Sequence, residues 1–266
     1  MSRASDSTSV EKVCRILRTL SVPRPLRLAD VCAATGLSKP TALRLLESLG
    51  DEGFVRRDPG TKRYTLGDEA LVLGIAMQSR THVSRWARPW LIRLAGLSGD
   101  TVILSTRSGV ESVCVDREFG AYPIRANYLD IGSRRPLGVG AGSMALLAWL
   151  PDEESKAVLD EIAPGVTARY PRIDRGLIES EIRGARGRGY TLLLDVVVER
   201  MGGIGAPIFG GDGKPVAAFS IAALSDRIAN RTTELAPALQ EAAAAVSARY
   251  FENGHVEDDP QVSAGQ

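Results

Sequence analysis

Residues 26–67 read LRLADVCAATGLSKPTALRLLESLGDEGFVRRDPGTKRYTLG, and this stretch decides the N-terminal fold. A short helix over Leu28–Thr35 exposes Asp30 and buries Val31 and Cys32. Gly36 then supplies a residue that tolerates the left-handed conformation of a tight turn, and Leu37 points back into the core. Ser38 is a plausible N-cap, and Pro40 sits in the first helical turn, where no N–H is needed. In the helix that follows, Leu43, Leu46 and Leu49 form the expected buried stripe, leaving Lys39, Thr41, Arg44 and Ser48 outside. Phe54–Arg57 and Lys62–Leu66 read as two strands around Asp58-Pro59-Gly60-Thr61, with Arg56, Arg57, Lys62 and Arg63 crowding the hairpin. Short polar and long basic side chains at a helix start suit the major groove of DNA, and a basic hairpin suits phosphates or the minor groove. A solvated helix face would account for Lys39 or Arg44 singly, but less well for the Gly turn and hairpin beside them.

Working outward, Thr8 and Glu11 have capping-box spacing, and Val10, Val13, Leu17 and Leu20 recur on one helical face that stops before Pro23 and Pro25. Residues 1–67 carry 12 Lys+Arg against 7 Asp+Glu, whereas the remainder carries 21 against 25, so the net charge of +1 conceals a basic N-terminal third. At 266 residues, 44% of them hydrophobic, the chain has material for two domains and a proper core. It has no apolar run long enough to span a membrane, and MSRASDSTSVEK lacks an apolar signal region, so a cytoplasmic protein is expected. Cys14, Cys32 and Cys114 are widely spaced and read as reduced, mostly buried thiols. With only His82 and His255, a histidine-based catalytic or metal centre is not expected, and no cofactor is either.

Beyond the hairpin, Asp68–Arg80 reads as a helix with apolar Leu71, Val72, Ile75 and Ala76, and Val83–Leu97 as another, interrupted by Pro89. Three strands are expected in 101–109, 110–120 and 123–132. In RRPLGVGAGSMALLAWLPDEE, Gly138, Gly140 and Gly142 precede an apolar helix expected from Ser143 to Leu150, whose N-terminal N–H groups suit a carboxylate. The glycines lack the context of a dinucleotide site, and Ser143 sits in no nucleophile elbow. Helices over Asp152–Ile162 and Asp174–Gly187, three further strands with a turn at Asp212-Gly213, and a helix over Thr233–Phe251 complete an α+β domain.

GLSKPTALRLLESLGDEGFVRRDPGTKRYTLG resembles the winged helix of the IclR family of bacterial transcriptional regulators, and the similarity continues to about Tyr250. The resemblance implies a winged helix-turn-helix over 8–67, a linker helix over 68–86 that takes part in dimerisation, and a GAF-like effector-binding domain over 87–253 with a central antiparallel sheet flanked by helices. Residues 254–266 have disordered composition. Ser38, Lys39, Pro40, Thr41, Arg44, Arg56, Arg57, Lys62 and Arg63 would contact a double-stranded operator. A small molecule, an organic acid or aromatic, would be held by Leu137, Gly138, Val139, Gly140, Ala141, Ser143, Met144, Asp195, Gly203, Ser220 and Ala222. Where the family often has His, Thr and Lys, this chain has Gly138, Gly140 and Met144, and Gly203 stands at a position often Cys. Those exchanges predict a larger, more apolar cup. The implied regulator is a homodimer or tetramer and not an enzyme; a ligand-free DNA-binding protein whose C-terminal domain serves assembly, and an enzyme tethered by the winged helix, are the alternatives.

Overall fold

A computed structural model describes residues 8–22, 24–80, 83–126 and 129–254. The chain forms two compact units that divide between His82 and Val83. The Ser-rich residues 1–7, both histidines and the expected tail from 255 onward lie outside the described residues.

The first unit is a three-helix cluster with a hairpin. Helix α1 (Ser9–Leu20) starts at a capping box: the Glu11 N–H donates to Thr8 Oγ1 at 3.2 Å, and the Thr8 N–H donates to the Glu11 carboxylate at 2.8 Å. Its buried seam is Val13, Ile16, Leu17 and Leu20, and Val10, expected inside, is 71% exposed. The seam begins one turn later than expected. Helix α2 (Leu28–Thr35) ends on Gly36 at φ +69°, whose N–H donates to the Cys32 carbonyl at 2.9 Å. Helix α3 (Lys39–Asp51) buries Ala42, Leu45, Leu46 and Leu49, with Leu43 only half-buried. The expected stripe through Leu43 is corrected for a simple reason: a step of three residues falls about 60° short of a full turn, so 43, 46 and 49 drift around the helix. Steps of three and four hold 42, 45, 46 and 49 on one face.

Strands β1 (Val55–Arg57) and β2 (Tyr64–Leu66) pair antiparallel, with Arg57 opposite Tyr64, and Leu26 bridges to Tyr64 as a short third strand. Asp58 organises the turn between them: its carboxylate accepts from the Thr61 N–H at 2.6 Å and the Thr61 hydroxyl at 2.7 Å. Those bonds hold its pKa below the usual carboxylate range. Lys62 leaves the turn at φ +57°. Helix α4 (Asp68–Arg80) follows, and Val83–Trp86, expected in one linker helix with it, open the next helix.

In the second unit, helix α5 (Val83–Ser98) leads to a six-stranded antiparallel sheet of order β5-β4-β3-β8-β7-β6. Its strands are β3 (Thr101–Ser108), β4 (Glu111–Phe119), β5 (Arg134–Pro136), β6 (Thr191–Leu194), β7 (Met201–Phe209) and β8 (Pro215–Leu224). The third expected strand, 123–132, is not one. The chain rejoins β4 only at Gly132 and Ser133, after a turn in which the Asp130 N–H donates to Ser133 Oγ at 2.9 Å.

The two-residue period of the strands sorts the core into two layers. Val102 and Leu104, Ile204, Ala206 and Ile208, and Phe219 and Ile221 pack under α5 and α9 (Ser225–Gly254). The opposite face receives α6 (Ala141–Ala148), backed by α7 (Asp152–Arg169) and α8 (Arg175–Arg188). Helix α6 starts two residues earlier than expected and is buried along its whole length. Helix α9 begins at Ser225, eight residues before its expected start, and two of its arginines lock it to the α5–β3 turn. Arg227 donates to both oxygens of Asp100, at 3.1 and 3.0 Å, and Arg231 donates to the Ser98 carbonyl at 2.6 Å. At the β6 edge, the Glu181 carboxylate accepts from the Leu192 N–H at 2.6 Å and so covers a donor that would otherwise invite strand addition. Of the cysteines only Cys114 is buried; Cys14 is exposed and Cys32 half-buried.

Candidate functional site

The first unit presents a cationic face. Ser38, Lys39, Pro40 and Arg44 are exposed along the start of α3, and Thr41 is half-buried with its hydroxyl 2.9 Å from that of Ser38. Arg56, Arg57 and Lys62 are exposed on the hairpin. Lys39, Arg57 and Lys62 meet around one groove, and Tyr64 forms its floor, with the Arg57 guanidinium 5.5 Å above the ring centroid. A fourth cation, Arg27 at the start of α2, lines the same groove and was not singled out from the sequence. Its signal was available, because it directly precedes a helix start, but only the antiparallel return of β2 brings it to the wing. Arg63 is half-buried and turned the other way, donating to the Pro25 carbonyl at 3.1 Å. Four positive charges with helix N–H groups nearby form a surface complementary to a phosphate backbone.

In the second unit a cavity lies between the start of α6 and the sheet. The strand period and register place Ile103 and Ser105 of β3, Gly203 of β7, and Ser220 and Ala222 of β8 on one face, under Val139–Ser143. Arg135 of β5 and Ser112 of β4 close one side, and Val196–Val198, after β6, close another. Gly140, the N-cap of α6, holds φ +96°, and a Cβ there would stand 3.3 Å from Arg135 Nη1. Guanidinium, serine hydroxyls and the N–H groups of the α6 first turn therefore border one apolar space, an arrangement suited to an anion with a hydrophobic body.

The cavity is small, about 40 Å³, room for roughly three waters. A larger, more apolar cup was expected; the space is small, while its lining is mainly apolar. Neighbouring groups close in where side chains are missing: a Cβ at Gly203 would lie 3.1 Å from Ala141 Cβ, one at Gly142 2.9 Å from Ser220 Oγ, and one at Gly205 2.8 Å from the Ala141 carbonyl oxygen. Four serines and an arginine supply the polar part of the lining.

Of the eleven residues expected around an effector, Val139, Gly140, Ala141, Ser143, Gly203, Ser220 and Ala222 line this cavity. Leu137, Gly138 and Met144 do not. Leu137 and Met144 are fully buried in the layer behind α6, and a Cβ on Gly138 would touch Ile178 and Leu147. Asp195 also faces elsewhere, its carboxylate accepting from the Ser225 hydroxyl at 2.8 Å. Ser105 was readable from strand alternation with Ile103; Arg135 and the three valines carry no local signal, since β-pairing and a loop bring them in. Among the described residues no group of three His, Cys, Asp or Glu side chains is placed to share a metal ion, and no helix is long and apolar enough to cross a membrane.

Comparison with known proteins identifies these two parts. The IclR helix-turn-helix domain profile matches residues 9–59, and the profile of the C-terminal domain of bacterial IclR transcriptional regulators matches residues 75–248. The chain belongs to the IclR family. The glycerol operon regulatory protein of Streptomyces griseus is 30% identical over 248 residues, covering 92% of this chain and 96% of the relative. The transcriptional regulator KipR of Bacillus subtilis is 29% identical over 223 residues, 84% and 88% of the two chains. Among solved structures, an IclR-type regulator from Silicibacter sp. TM1040 superposes with a TM-score of 0.79 at 25% identity, covering 92% of this chain and 96% of that one. The first unit thus carries the helix-turn-helix domain of an IclR transcriptional regulator, and the cavity lies in its C-terminal domain.

Proposed function

We propose that this IclR regulator binds its operator through α3 and the wing, and that a small organic anion in the α6 cavity adjusts that binding. Ser38, Lys39, Pro40, Thr41 and Arg44 would face bases or adjacent phosphates. Arg56, Arg57 and Lys62 would grip backbone or minor groove, joined by Arg27, whereas Arg63 holds the Pro25 carbonyl. The observation that carries the effector reading is the convergence of Arg135, Ser105, Ser112, Ser220 and the α6 start on one apolar cavity. An IclR homologue of the same fold from Microbacterium hydrocarbonoxydans, 21% identical, was solved with 4-hydroxybenzoate, which makes that acid a first probe. Leu71, Val72, Leu73 and Ile75 of α4 are all more than half exposed, which supports a homodimer, or a pair of dimers, formed through that helix. No catalytic role is part of this reading.

The test is thermal unfolding of the full chain with a panel of aromatic and short aliphatic acids, followed by operator titration with each stabilising acid. Stabilisation by one acid, and a change in operator affinity at the same concentrations, is the expected result. Lack of stabilisation by every acid at millimolar concentration would favour the assembly-only alternative, which the small volume of the cavity supports.

A further inference from the structure

Ligand sites usually measure ~300–1,000 Å³, and a cavity of 40 Å³ is far below that. If the cavity takes an effector, as the reading above holds, one wall has to move. Most of its walls are ill-suited to this. Strands β3, β7 and β8 are held by continuous ladders, and the start of α6 rests on them glycine to backbone. Residues 195–200 differ. Val196, Val197 and Val198 line the cavity, and the segment is bounded by Asp195 at φ +64° and Arg200 at φ +61°. Among the described residues these are two of the three non-glycine residues in the left-handed region, a conformation that persists only where surroundings impose it.

The surroundings that impose it act at two places. At the base, the Asp195 N–H donates to the Met201 carbonyl at 3.0 Å. Ser225, the first residue of α9, donates its N–H to the Arg200 carbonyl at 3.0 Å and its hydroxyl to the Asp195 carboxylate at 2.8 Å. Over the top, Arg172, from the connection between α7 and α8, donates to the Asp195 carbonyl at 3.1 Å and to the Glu199 carboxylate at 2.7 Å. The base is pinned by these three bonds and by the Met201 N–H, which donates to the Val198 carbonyl at 3.1 Å, whereas the Arg172–Glu199 pair is exposed, at 50% and 73%, and holds weakly.

We infer that Val196–Val198 form a hinged lid on the effector cavity, turning about Asp195 and Arg200, with Arg172 as its latch. Opening breaks the Arg172 contacts and leaves those of Ser225 in place. The closed lid presents an apolar surface, so the effector turns its hydrophobic body to the valines and its charge to Arg135.

The experiment places a thiol behind the lid. In the full chain, Ser105→Cys is combined with Cys14→Ser, Cys32→Ser and Cys114→Ala, the last because Cys114 is the cross-strand partner of Ser105 and could trap the new thiol as a disulfide, and the reaction with methyl methanethiolsulfonate is followed by mass spectrometry. Ser105 is 5% exposed, so the new thiol reacts only when the cavity opens. Adding Arg172→Ala should raise the labelling rate roughly three- to tenfold and Glu199→Gln about twofold, the loss of one exposed ion pair and one backbone hydrogen bond. Arg175→Ala, which removes exposed ion pairs to Asp160 and Glu179 away from the lid, should leave the rate unchanged. Equal rates in the parent and both latch variants overturn the lid, even if 4-hydroxybenzoate or another acid of the panel binds. Acceleration by the latch variants supports the lid, and failure of every acid to slow labelling would then sink the effector reading alone.

Discussion

Replacing Gly142 by Ala adds one methyl group at the point where α6 meets the sheet, and it should abolish sensing while sparing the fold. The new Cβ would lie 2.9 Å from Ser220 Oγ, 3.3 Å from Ser220 Cβ and 3.6 Å from Ser105 Oγ. The first contact is relieved by turning a serine hydroxyl, the second only by a shift of a few tenths of an ångström. Overpacking of this kind costs about 1–3 kcal/mol. Alanine in place of glycine within a helix returns roughly 1 kcal/mol. The net is a destabilisation of about 0–2 kcal/mol, or a melting temperature lower by up to roughly 8 °C for a unit of this size. The protein therefore remains folded at ambient temperature. The methyl group also displaces roughly one of the three waters the cavity could hold, against the serines that would receive the anion. Operator affinity without acid should match the wild type in fluorescence anisotropy on a selected DNA fragment. The acid concentration that half-changes that affinity should rise at least about tenfold, equivalent to ~1.4 kcal/mol of lost binding. A Gly142→Ala protein that responds at the wild-type acid concentration would refute the assignment of this cavity.

Other perturbations follow from the same geometry. Arg44→Ala should weaken operator binding by ~1–3 kcal/mol and relax base choice, whereas Lys62→Ala and Arg27→Ala should each lower the salt slope by about one, without changing sequence preference; a normal footprint from the double variant Lys39→Ala, Arg44→Ala would refute the reading of α3. Arg227→Ala leaves Asp100, whose side chain is 1% exposed, with only the more distant Arg231 at 3.7 Å, so chemical denaturation should show a loss toward the low end of about 3–5 kcal/mol. Glu154 accepts hydrogen bonds from Arg107 at 2.5 Å and Lys214 at 3.2 Å, which lower its pKa from the ordinary 4.5. Its contribution is fully present above 4.5 and fades as pH falls toward the lowered folded value, so Glu154→Gln should flatten the acid side of the stability profile by lowering stability slightly at pH 7 and leaving it unchanged at pH values where Glu154 is already protonated.

The DNA-binding unit was legible because its determinants are local. The capping box at Thr8, the left-handed Gly36, the N-cap Ser38 and the Asp58 turn each act within four residues, and their order alone defines a helix-turn-helix with a wing. The faces of its helices were read less well. Leu45 and Leu46, not Leu43, face inward, since a buried stripe alternates steps of three and four and the core it meets selects among neighbouring rows.

The effector cavity belongs to the other category. Its glycines were visible, and their side-chain losses were read as added room. Whether a missing Cβ opens space or lets two segments close is decided by what lies opposite, here Ala141 against Gly203, more than sixty residues away in the chain. Arg135 reaches the α6 start through β-pairing, and the three valines arrive on a loop whose two ends hold left-handed backbone. Sequence by itself thus determined the family, the winged helix and the polarity of its DNA-facing helix, all short-range properties of periodicity and caps. Only the tertiary structure decided the size, polarity and closure of the cavity, because these depend on cross-sheet register and backbone approach between segments that no local pattern relates.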